Sequence, residues 1–341
     1  MGTTVSYKPR SMLVTGGAGF IGANFVRHAL LNLPDTHIVT LDKLTYAGSL
    51  TNLKQLPDAE RHHFIQGDII DAALVRHIIN HHHIDTIVHF AAESHVDRSI
   101  SAPADFVTTN LLGTFTLLEA ARHHWLDTEK LNTAQCRFHH ISTDEVFGSL
   151  QTQDPAFTEQ TPYQPRSPYS ATKAGSDHLV NAYHHTYGLP VTLSNCSNNY
   201  GPFQHDEKFI PTIIRSCLTG KTIPIYGKGK NIRDWLYVED HCSGILRILE
   251  AGYVGENYNI GGNSEWENLT LARYICQQLD KLKPAQAPHE SLIEFVTDRP
   301  GHDFRYAINP SKMRDQLHWT PKESFESGIA KTIQFYMTKM Q

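Results

Sequence analysis

The sequence predicts an α/β protein with a doubly wound parallel sheet and a smaller C-terminal lobe of mixed α/β structure. Three observations support this prediction. Short β-branched runs alternate with longer helical patterns through the first half, and a glycine-rich turn follows the first of these runs. Beyond about residue 200 the pattern loosens into segments that Pro and Gly interrupt. Alternating strands and helices are typical of βαβ units, whose strands lie parallel in one sheet.

The same periodicities give the individual elements. The predicted strands are 11–15, 37–41, 62–66, 86–90, 137–142 and 191–195. The predicted helices are 21–31, 72–82, 104–124 and 168–187 in the first half, and 209–219, 242–250, 270–282 and 323–339 in the second. We therefore expect a polar arm at 1–10, a large domain at 11–200 and a lobe at 201–341. Because no repeat or low-complexity linker separates the last two, we expect them to share a cleft.

The composition excludes several classes of protein. A net charge of -5 offers no basic patch for a nucleic acid. No apolar run approaches the roughly 20 residues that cross a bilayer, so we expect no membrane partner and a cytoplasmic location. The five cysteines are scattered without a C-x-x-C pair, which is typical of reduced thiols.

A histidine-rich segment, His77 followed by His81, His82 and His83, invites comparison with a metal site, because side chains four residues apart share a helix face. These residues also end a predicted helix, where partly cationic imidazoles suit the negative end of the helix dipole. No carboxylate or cysteine stands beside them in sequence. We favour the helix end and predict no metal site.

The glycine-rich segment 16–22 directly follows the first predicted strand and opens a helix. Such glycines allow a tight turn and bring backbone N–H groups to a pyrophosphate. Asp42 follows Gly22 by about 20 residues, at the end of the second strand, where a carboxylate accepts ribose hydroxyls and repels a 2′-phosphate. The pattern predicts a Rossmann-like domain that binds NAD in preference to NADP, although the neighbouring Lys43 weakens that preference.

Two later strand ends fit the same site. Asp68 follows the third strand and is expected near the adenine end of the dinucleotide. The segment 91–94 follows the fourth strand, and its small residues would let the nicotinamide half lie against the backbone. In open α/β sheets the carboxyl ends of the strands face the ligand crevice.

A Y-x-x-x-K motif, Tyr169 and Lys173, lies on a helix with Ser167 as the predicted N-cap and Pro168 at the first helical position. Four residues make nearly one helical turn, so the two side chains share a face. A phenol that serves as a base near neutrality needs its pKa lowered by about three units, or roughly 4 kcal/mol. The Lys173 ammonium and a nicotinamide cation are the predicted sources of that effect.

An acidic pair, Asp144 and Glu145, follows Thr143 at the end of the fifth strand. Adjacent carboxylates oppose joint ionisation, so their pKa values separate and suit one acid and one base. In an extended strand they would point to opposite faces, so we expect the chain to turn at Thr143. The competing interpretation is a solvated acidic turn, which the position at a strand end disfavours.

With these motifs in order, the sequence resembles the extended short-chain dehydrogenase/reductase superfamily. Within its NAD-dependent epimerase/dehydratase family, it is similar to the dTDP-glucose 4,6-dehydratases. The resemblance extends over nearly the full length and includes the runs 91–99, 197–202, 233–241 and 298–303. Related sugar-nucleotide epimerases carry small hydroxylated residues where this chain has Asp144 and Glu145. The departures are the N-terminal arm and the segments 127–135 and 262–267.

The resemblance implies two sets of ligand contacts in addition to the catalytic residues Thr143, Asp144, Glu145, Tyr169 and Lys173. Those to NAD would come from Gly16, Gly19, Phe20, Ile21, Gly22, Asp42, Lys43, Leu44, Thr45, Asp68, Ile69, Ala91, Ala92, Ser94, Thr109, Tyr169, Lys173 and Asn199. Those to the nucleotide sugar would come from Ser94, Thr143, Asn198, Lys208, Phe209, Pro224, Ile225, Tyr226, Arg233, Asn268, Arg299 and His302. The cations of the second set could donate charge-assisted hydrogen bonds to a diphosphate.

The resemblance also implies a reaction and an assembly. Tyr169 would take the proton of the C4 hydroxyl as hydride passes from C4 to NAD, with Thr143 holding the C4 oxygen. Glu145 would then remove the C5 hydrogen while a protonated Asp144 gives a proton to the departing C6 hydroxyl, after which the hydride returns to C6. A homodimer would form through helices 104–124 and 168–187.

Three alternatives stay open from the sequence. A UDP-hexose 4-epimerase shares the C4 oxidation. A sister dehydratase could act on GDP-mannose or a UDP-sugar, because base recognition depends on pocket shape. A non-catalytic NAD sensor would be expected to lack the Tyr/Lys pair or the acidic pair, and this chain has both.

Overall fold

The computed structural model describes residues 7–298 and 301–340. Its strands are β1 (Ser11–Thr15), β2 (His37–Asp42), β3 (His62–Gln66), β4 (Thr86–His89), β5 (Arg137–Thr143), β6 (Val191–Cys196), β7 (Asn198–Tyr200), β8 (Ile223–Tyr226), β9 (Ile232–Tyr237), β10 (Asn257–Ile260), β11 (Glu265–Glu267), β12 (Ile293–Val296) and β13 (Arg305–Tyr306). Each strand predicted for the first half is present, with ends that agree within one residue.

The helices alternate with these strands through the first half. They are α1 (Phe20–Asn32), α2 (Ala72–His81), α3 (Val96–Ser101), α4 (Pro103–Phe106), α5 (Thr114–Arg122), α6 (Pro168–Tyr187), α7 (Phe209–Thr219), α8 (Val238–Ala251), α9 (Asn268–Leu282), α10 (Ser311–Leu317) and α11 (Phe325–Lys339). Wider π-helical turns occupy Val107–Gly113 and His123–Thr128. Single 3-10 turns occupy Leu50–Leu53, Ala59–Arg61, Asp144–Phe147, Pro284–Gln286 and His289–Leu292.

The main sheet has the strand order β3-β2-β1-β4-β5-β6-β10, and each neighbouring pair is parallel. The order reverses direction between β1 and β4, which opens a crevice at the carboxyl ends of these strands. Helices cover both faces, and β4 and β5 are buried along their whole length. The predicted Rossmann-like fold is confirmed.

The C-terminal half contributes to this sheet as well as to the lobe. β10 pairs with β6, and α8 packs on α1 through a shared core that includes Phe25, Cys242, Ile245 and Ile248. Residues beyond 200 therefore add a strand and a helix to the large domain in addition to forming the lobe. β10 escaped prediction because Asn257-Tyr258-Asn259-Ile260 is short and half polar.

The lobe is built on a second core. β9 pairs with β7, β11 and β13, and β8 pairs with β12. α7, α9 and α11 cover these strands and bury Ile213, Ile275 and Ile329 against them. The predicted mixed α/β lobe is present, although its short strands were not individually predicted.

The predicted helix 104–124 proves to be part of a longer helical stretch from Val96 to Thr128. The stretch is interrupted at Ala102, because the ring of Pro103 restricts the residue before it. None of the described helices is both long enough and apolar enough to span a lipid bilayer.

The histidine-rich segment ends α2, as predicted, with His82 as its C-cap. The rings of His77 and His81 stack with their centroids 5.3 Å apart. Within residues 7–298 and 301–340, no group of three or more His, Cys, Asp or Glu side chains is arranged to hold a metal ion.

Candidate active site

A cleft of about 330 Å³ lies at the carboxyl ends of β1, β4, β5 and β6. The glycine-rich turn lines one end of it and the start of α6 lines the other. The lining includes Gly16, Gly19, Phe20, Ile21, Gly22, Asp42, Lys43, Thr45, Asp68, Ile69, Ala91, Ala92, Ser94, Thr109, Thr143, Asp144, Glu145, Tyr169, Lys173, Asn198, Asn199 and Lys208. The structure thus brings the predicted catalytic residues and nearly all of the predicted cofactor residues into one cleft.

The glycine-rich turn leaves no room for side chains at two positions. Gly16 has φ +68°, and a Cβ there would lie 2.7 Å from the backbone nitrogen of Ala91. A Cβ on Gly22 would lie 2.3 Å from the carbonyl oxygen of Gly16. This close packing directs the N-terminus of α1 towards the cleft, where its unpaired N–H groups suit a phosphate.

Asp42 and Lys43 at the end of β2 have separate partners. The Asp42 carboxylate accepts hydrogen bonds from the backbone nitrogens of Ala18 (2.9 Å) and Leu44 (2.8 Å). Burial raises the pKa of Asp42, and these hydrogen bonds oppose the rise. The Lys43 ammonium lies 2.6 Å from Asp68, which raises the pKa of Lys43. The cation that weakened the preference for NAD is therefore already paired.

Leu44 is the predicted cofactor residue that does not line the cleft. It adopts a left-handed conformation with φ +58°. Its backbone N–H holds the Asp42 carboxylate, so its contribution to the site is the turn rather than the side chain.

α6 begins as the sequence predicts. Ser167 is the N-cap, its hydroxyl accepts a hydrogen bond from the Ser170 nitrogen at 3.0 Å, and the Ser170 hydroxyl completes a capping box. Pro168 occupies the first turn. Tyr169 is 9% exposed and lies at the edge of the cleft.

The charge around Tyr169 differs from the expectation. Burial and the negative charge of Glu145 raise the pKa of the phenol well above its usual value, and a hydrogen bond with Thr143 opposes the rise. Lys173 is not among the groups with the largest effects on this pKa. Its ammonium instead donates a hydrogen bond to the Ile141 carbonyl at 2.7 Å. In the protein alone, burial therefore outweighs any lowering of the Tyr169 pKa by Lys173.

The acidic pair follows a turn at Thr143, as predicted. The Thr143 hydroxyl accepts a hydrogen bond from the Glu145 nitrogen at 3.2 Å and lies 3.3 Å from the Asp144 carboxylate. Asp144 is 2% exposed, and within the described part of the chain one of its carboxylate oxygens has no hydrogen-bond partner. Burial, then the charges of Glu145 and Asp234, raise the Asp144 pKa well above its usual value. The surroundings of Asp144 thus favour its protonated form, beside the half-buried Glu145.

The predicted nucleotide-sugar residues divide into two groups. Ser94, Thr143, Asn198 and Lys208 line the cleft, and Phe209 begins α7 directly after Lys208. The other described residues of the set belong to the lobe and do not line the cleft.

Two of the lobe residues are already engaged. Arg233 is 6% exposed, donates to the carbonyls of Asp303 and Phe304, and lies over the Tyr306 ring at 4.3 Å. The Ile225 side chain is 1% exposed within the lobe core, which leaves its backbone for a contact with the nucleotide sugar.

The remaining lobe residues lie around β8 and α9. Pro224 and Tyr226 occupy the exposed face of β8, and the ring of His302 contacts Tyr226 with centroids 6.1 Å apart. Asn268 is the first residue of α9. Arg299 lies outside the described residues.

The polar residues that line the cleft without having been predicted include Glu93, Gln204 and His205. Burial raises the pKa of Glu93, followed by the charge of Asp105. Glu93 stands inside the run 91–99, and the other two follow the run 197–202. Their proximity to these runs is the signal that could have identified them.

Comparison with known proteins agrees with this geometry. The family model described as GDP-mannose 4,6 dehydratase matches residues 13–332. A dTDP-glucose 4,6-dehydratase of Escherichia coli is 51% identical over 342 residues, covering 97% of this chain and 94% of the relative. The crystal structure of DesIV, a dTDP-glucose 4,6-dehydratase from Streptomyces venezuelae with NAD and TYD bound, is 44% identical with a TM-score of 0.88 and covers 96% of this chain and 97% of that one.

A UDP-glucose 4-epimerase from Thermotoga maritima with UDP-glucose has nearly the same backbone, with a TM-score of 0.85 over 97% of this chain and 100% of that one, but is only 25% identical. Backbone similarity therefore does not separate the two kinds of enzyme, whereas sequence identity favours the dehydratases. The chain belongs to the GDP-mannose 4,6 dehydratase family, in agreement with the resemblance to nucleotide-sugar dehydratases that its sequence predicts.

Proposed function

We propose that the chain converts dTDP-glucose to dTDP-4-keto-6-deoxyglucose and water, using NAD. It is an enzyme, a hydro-lyase, like the dTDP-glucose 4,6-dehydratases to which it is about half identical. The observation that carries the proposal is one cleft that holds a tyrosine, a buried acid with a raised pKa and a second carboxylate beside a glycine-rich turn.

The residues of the cleft fit NAD. Gly16 and Gly22 pack tightly against neighbouring backbone, and this tight turn presents the N–H groups at the N-terminus of α1 to a pyrophosphate. The Asp42 carboxylate, held by two backbone N–H groups, keeps acceptor capacity for ribose hydroxyls. Lys43 is paired with Asp68 and so does not offer a free cation to a 2′-phosphate. When bound, NAD supplies the acceptor for hydride from C4, a hydride for C6, and a cationic ring near the phenol.

For the oxidation at C4, Tyr169 is the proposed base. Its phenolate oxygen takes the proton from the C4 hydroxyl, and Thr143, which already shares a hydrogen bond with Tyr169, holds the C4 oxygen. Because burial and Glu145 raise the pKa of the phenol, deprotonation requires positive charge nearby. Lys173, fully buried one helical turn away, is the proposed contribution of the protein.

For the loss of water, we assign different roles to Asp144 and Glu145. The keto group at C4 acidifies the C5 hydrogen, which Glu145 removes as general base. Asp144 donates its proton to the departing C6 hydroxyl, a role that its raised pKa supports because a raised pKa favours the protonated acid. C6 then receives the hydride that left C4 and C5 regains a proton, which completes the balance of the reaction.

The nucleotide end would lie towards the lobe. Asn198, Lys208 and Phe209 are the proposed contacts nearest the cleft, and Arg233 is the proposed donor to the diphosphate, where a planar guanidinium fits two oxygens. Pro224, the Ile225 backbone, Tyr226, Asn268, Arg299 and His302 complete the proposed set.

We propose that the protein is a homodimer. Ile100, Val107, Leu112 and Phe115, on the helical stretch that packs against α6, are 43–49% exposed. A second copy would cover this apolar face. Light scattering at micromolar concentration should give twice the chain mass, and Leu112→Glu with Phe115→Glu should reduce it to the chain mass. Leu31→Glu, at an exposed leucine of α1, is the control; a monomeric parent protein would contradict the proposal.

We also propose a cytoplasmic location. The five cysteines are buried free thiols, and those of Cys217 and Cys276 lie 3.8 Å apart without a bond. Such thiols are typical of a reducing compartment.

Incubation of the purified protein with dTDP-glucose, UDP-glucose and GDP-mannose tests the reaction and the base specificity together. The alkaline absorbance of keto sugars should rise with dTDP-glucose and be much weaker with the other two. A 4-epimer without a deoxy sugar would indicate an epimerase, and no product from any of the three would contradict the proposed function.

A further inference from the structure

A carboxylate that the proposed chemistry does not use, Asp177, lies one helical turn after Lys173 on α6. Asp177 follows Lys173 by four residues and Tyr169 by eight, so the three side chains share one face of α6. Asp177 is fully buried. One of its carboxylate oxygens accepts hydrogen bonds from the Ser142 hydroxyl at 2.7 Å and the Tyr163 hydroxyl at 3.0 Å.

The other oxygen of Asp177 faces His140. The Nε2 atom of His140 lies 3.2 Å from this oxygen and 3.3 Å from the Lys173 ammonium, so the imidazole stands between the two charged groups. The Ser176 hydroxyl lies 3.3 Å from the same nitrogen. Lys173 is also fixed by the Ile141 carbonyl.

The titratable groups packed around the ammonium from the neighbouring elements are neutral. Burial lowers the pKa of His140 on β5 and of His89 on β4 well below the usual value. Burial raises the pKa of Cys196 on β6 to about 12, so its thiol keeps its proton. The Tyr163 phenol, whose pKa burial also raises, stays protonated.

Asp177 therefore provides the negative charge in this buried network. Burial raises its pKa to about 6, against the opposing effects of Lys173, Ser142, Tyr163 and His178 on α6 itself. The carboxylate is ionised above that pH. Burial lowers the pKa of Lys173, and Asp177 is the largest influence that raises it again. Charges taken out of water persist only when they are paired.

We propose that Asp177 is a positioning residue that keeps Lys173 protonated, acting through its charge across the intervening His140 imidazole. The inference rests on the proposed function, in which a charged Lys173 helps Tyr169 to act as a base. Without the carboxylate, the desolvated ammonium loses its proton at lower pH. The oxidation at C4 then fails on the alkaline side of its pH profile, while binding of the sugar nucleotide is preserved.

The test compares Asp177→Asn with the parent enzyme from about pH 6 to about pH 10, following kcat and KM for dTDP-glucose. The alkaline limb of kcat should move down by about one pH unit or more, with KM unchanged. Tyr163→Phe is the matched control, because it removes a hydrogen bond from the same carboxylate and leaves its charge. Its alkaline limb should coincide with that of the parent, and Asp177→Glu should restore the parental limb.

An alkaline limb in Asp177→Asn that coincides with the parental limb would overturn the inference while leaving the proposed function intact. A parent enzyme that is inactive on dTDP-glucose would instead contradict the proposed function. If Asp177→Asn does not fold, the ¹⁵N resonance of the Lys173 ammonium in the parent, assigned by its loss in Lys173→Met, decides the question. A protonated Lys173 throughout the active pH range supports the proposal, and loss of its proton below about pH 8 contradicts it.

Discussion

Asp144 and Glu145 are neighbours in sequence but differ in surroundings, and this difference divides the acid from the base. Asp144 is enclosed, with a pKa well above the ordinary value, whereas Glu145 is only half-buried at the mouth of the cleft. The sequence indicated two carboxylates at a strand end. Only the structure shows which of them is buried, because burial depends on the lobe that covers the turn.

Replacing Glu145 with Gln should separate oxidation from dehydration. The substitution removes the proposed C5 base and its negative charge but preserves the shape, so oxidation at C4 should proceed and NADH absorbance should accumulate without deoxy sugar. Stopped-flow absorbance at 340 nm with product analysis measures both steps. Tyr169→Phe should abolish both signals, and parental release of the 4-keto-6-deoxy product by Glu145→Gln would show that another residue is the base.

The direction of the Tyr169 pKa shift could not be predicted from residue types alone. The Y-x-x-x-K spacing correctly predicted that Tyr169 and Lys173 share a helix face. It gave no measure of desolvation, which in the protein alone raises the pKa of the phenol. A charge balance of this kind depends on side chains from β5 and β6 that are far away in sequence.

The N-terminus of α6 positions the catalytic tyrosine through a local sequence signal. Ser167, Pro168 and Ser170 form the predicted cap, so this helix start could be predicted from its own residues. β10 and the short lobe strands could not, because their pairing partners are distant and their sequences are only partly apolar.

Ser167→Ala should lower the free energy of unfolding by about 1 kcal/mol, the usual contribution of an N-cap. It should also lower kcat, because Tyr169 lies in the first turn of the helix. Ser324, which caps α11 through the Ser327 nitrogen, is the matched control. Ser324→Ala should cost similar stability with parental kcat, as measured by urea unfolding and steady-state assays; equal kcat in both variants would contradict a role of the cap in catalysis.

The molecule as a whole joins a predictable sheet to a lobe that the sequence describes only coarsely. The order of β1 to β6 follows from the alternation of strands and helices, and the crevice follows from that order. The addition of β10 and the packing of α8 on α1 depend on contacts between distant parts of the chain. The burial of Ile225 and the hydrogen bonds of Arg233 depend on the same long-range packing.

Acid should destabilise the fold through histidines that the sheet buries. His139 is fully buried between the Thr192 and Ser194 hydroxyls, and burial lowers its pKa well below 6.5. Its stabilising effect is therefore complete above about pH 6.5 and is lost as the pH falls. The reason is that His139 binds a proton in the unfolded chain but stays neutral in the native state. The loss amounts to about 1.4 kcal/mol per pH unit.

Urea unfolding of the parent and of His139→Gln at about pH 7 and about pH 5 isolates this contribution. The difference in unfolding free energy between the two proteins should shrink by about 2 kcal/mol at the lower pH. Buried carboxyls with raised pKa values, such as Asp234, act in the opposite direction but equally in both proteins, so they cancel. A difference that is independent of pH would show that His139 is not a neutral buried base.

In the proposed reaction, hydride leaves C4 and later returns to C6 of the same sugar. C5 loses its hydrogen after the oxidation and regains a proton from solvent. Incubation of dTDP-glucose deuterated at C4, followed by NMR of the product, tests this directly. The account predicts deuterium in the C6 methyl group and, in a parallel reaction in D₂O, solvent deuterium at C5. Deuterium that returns to C4 of a hexose with its C6 hydroxyl intact would contradict it.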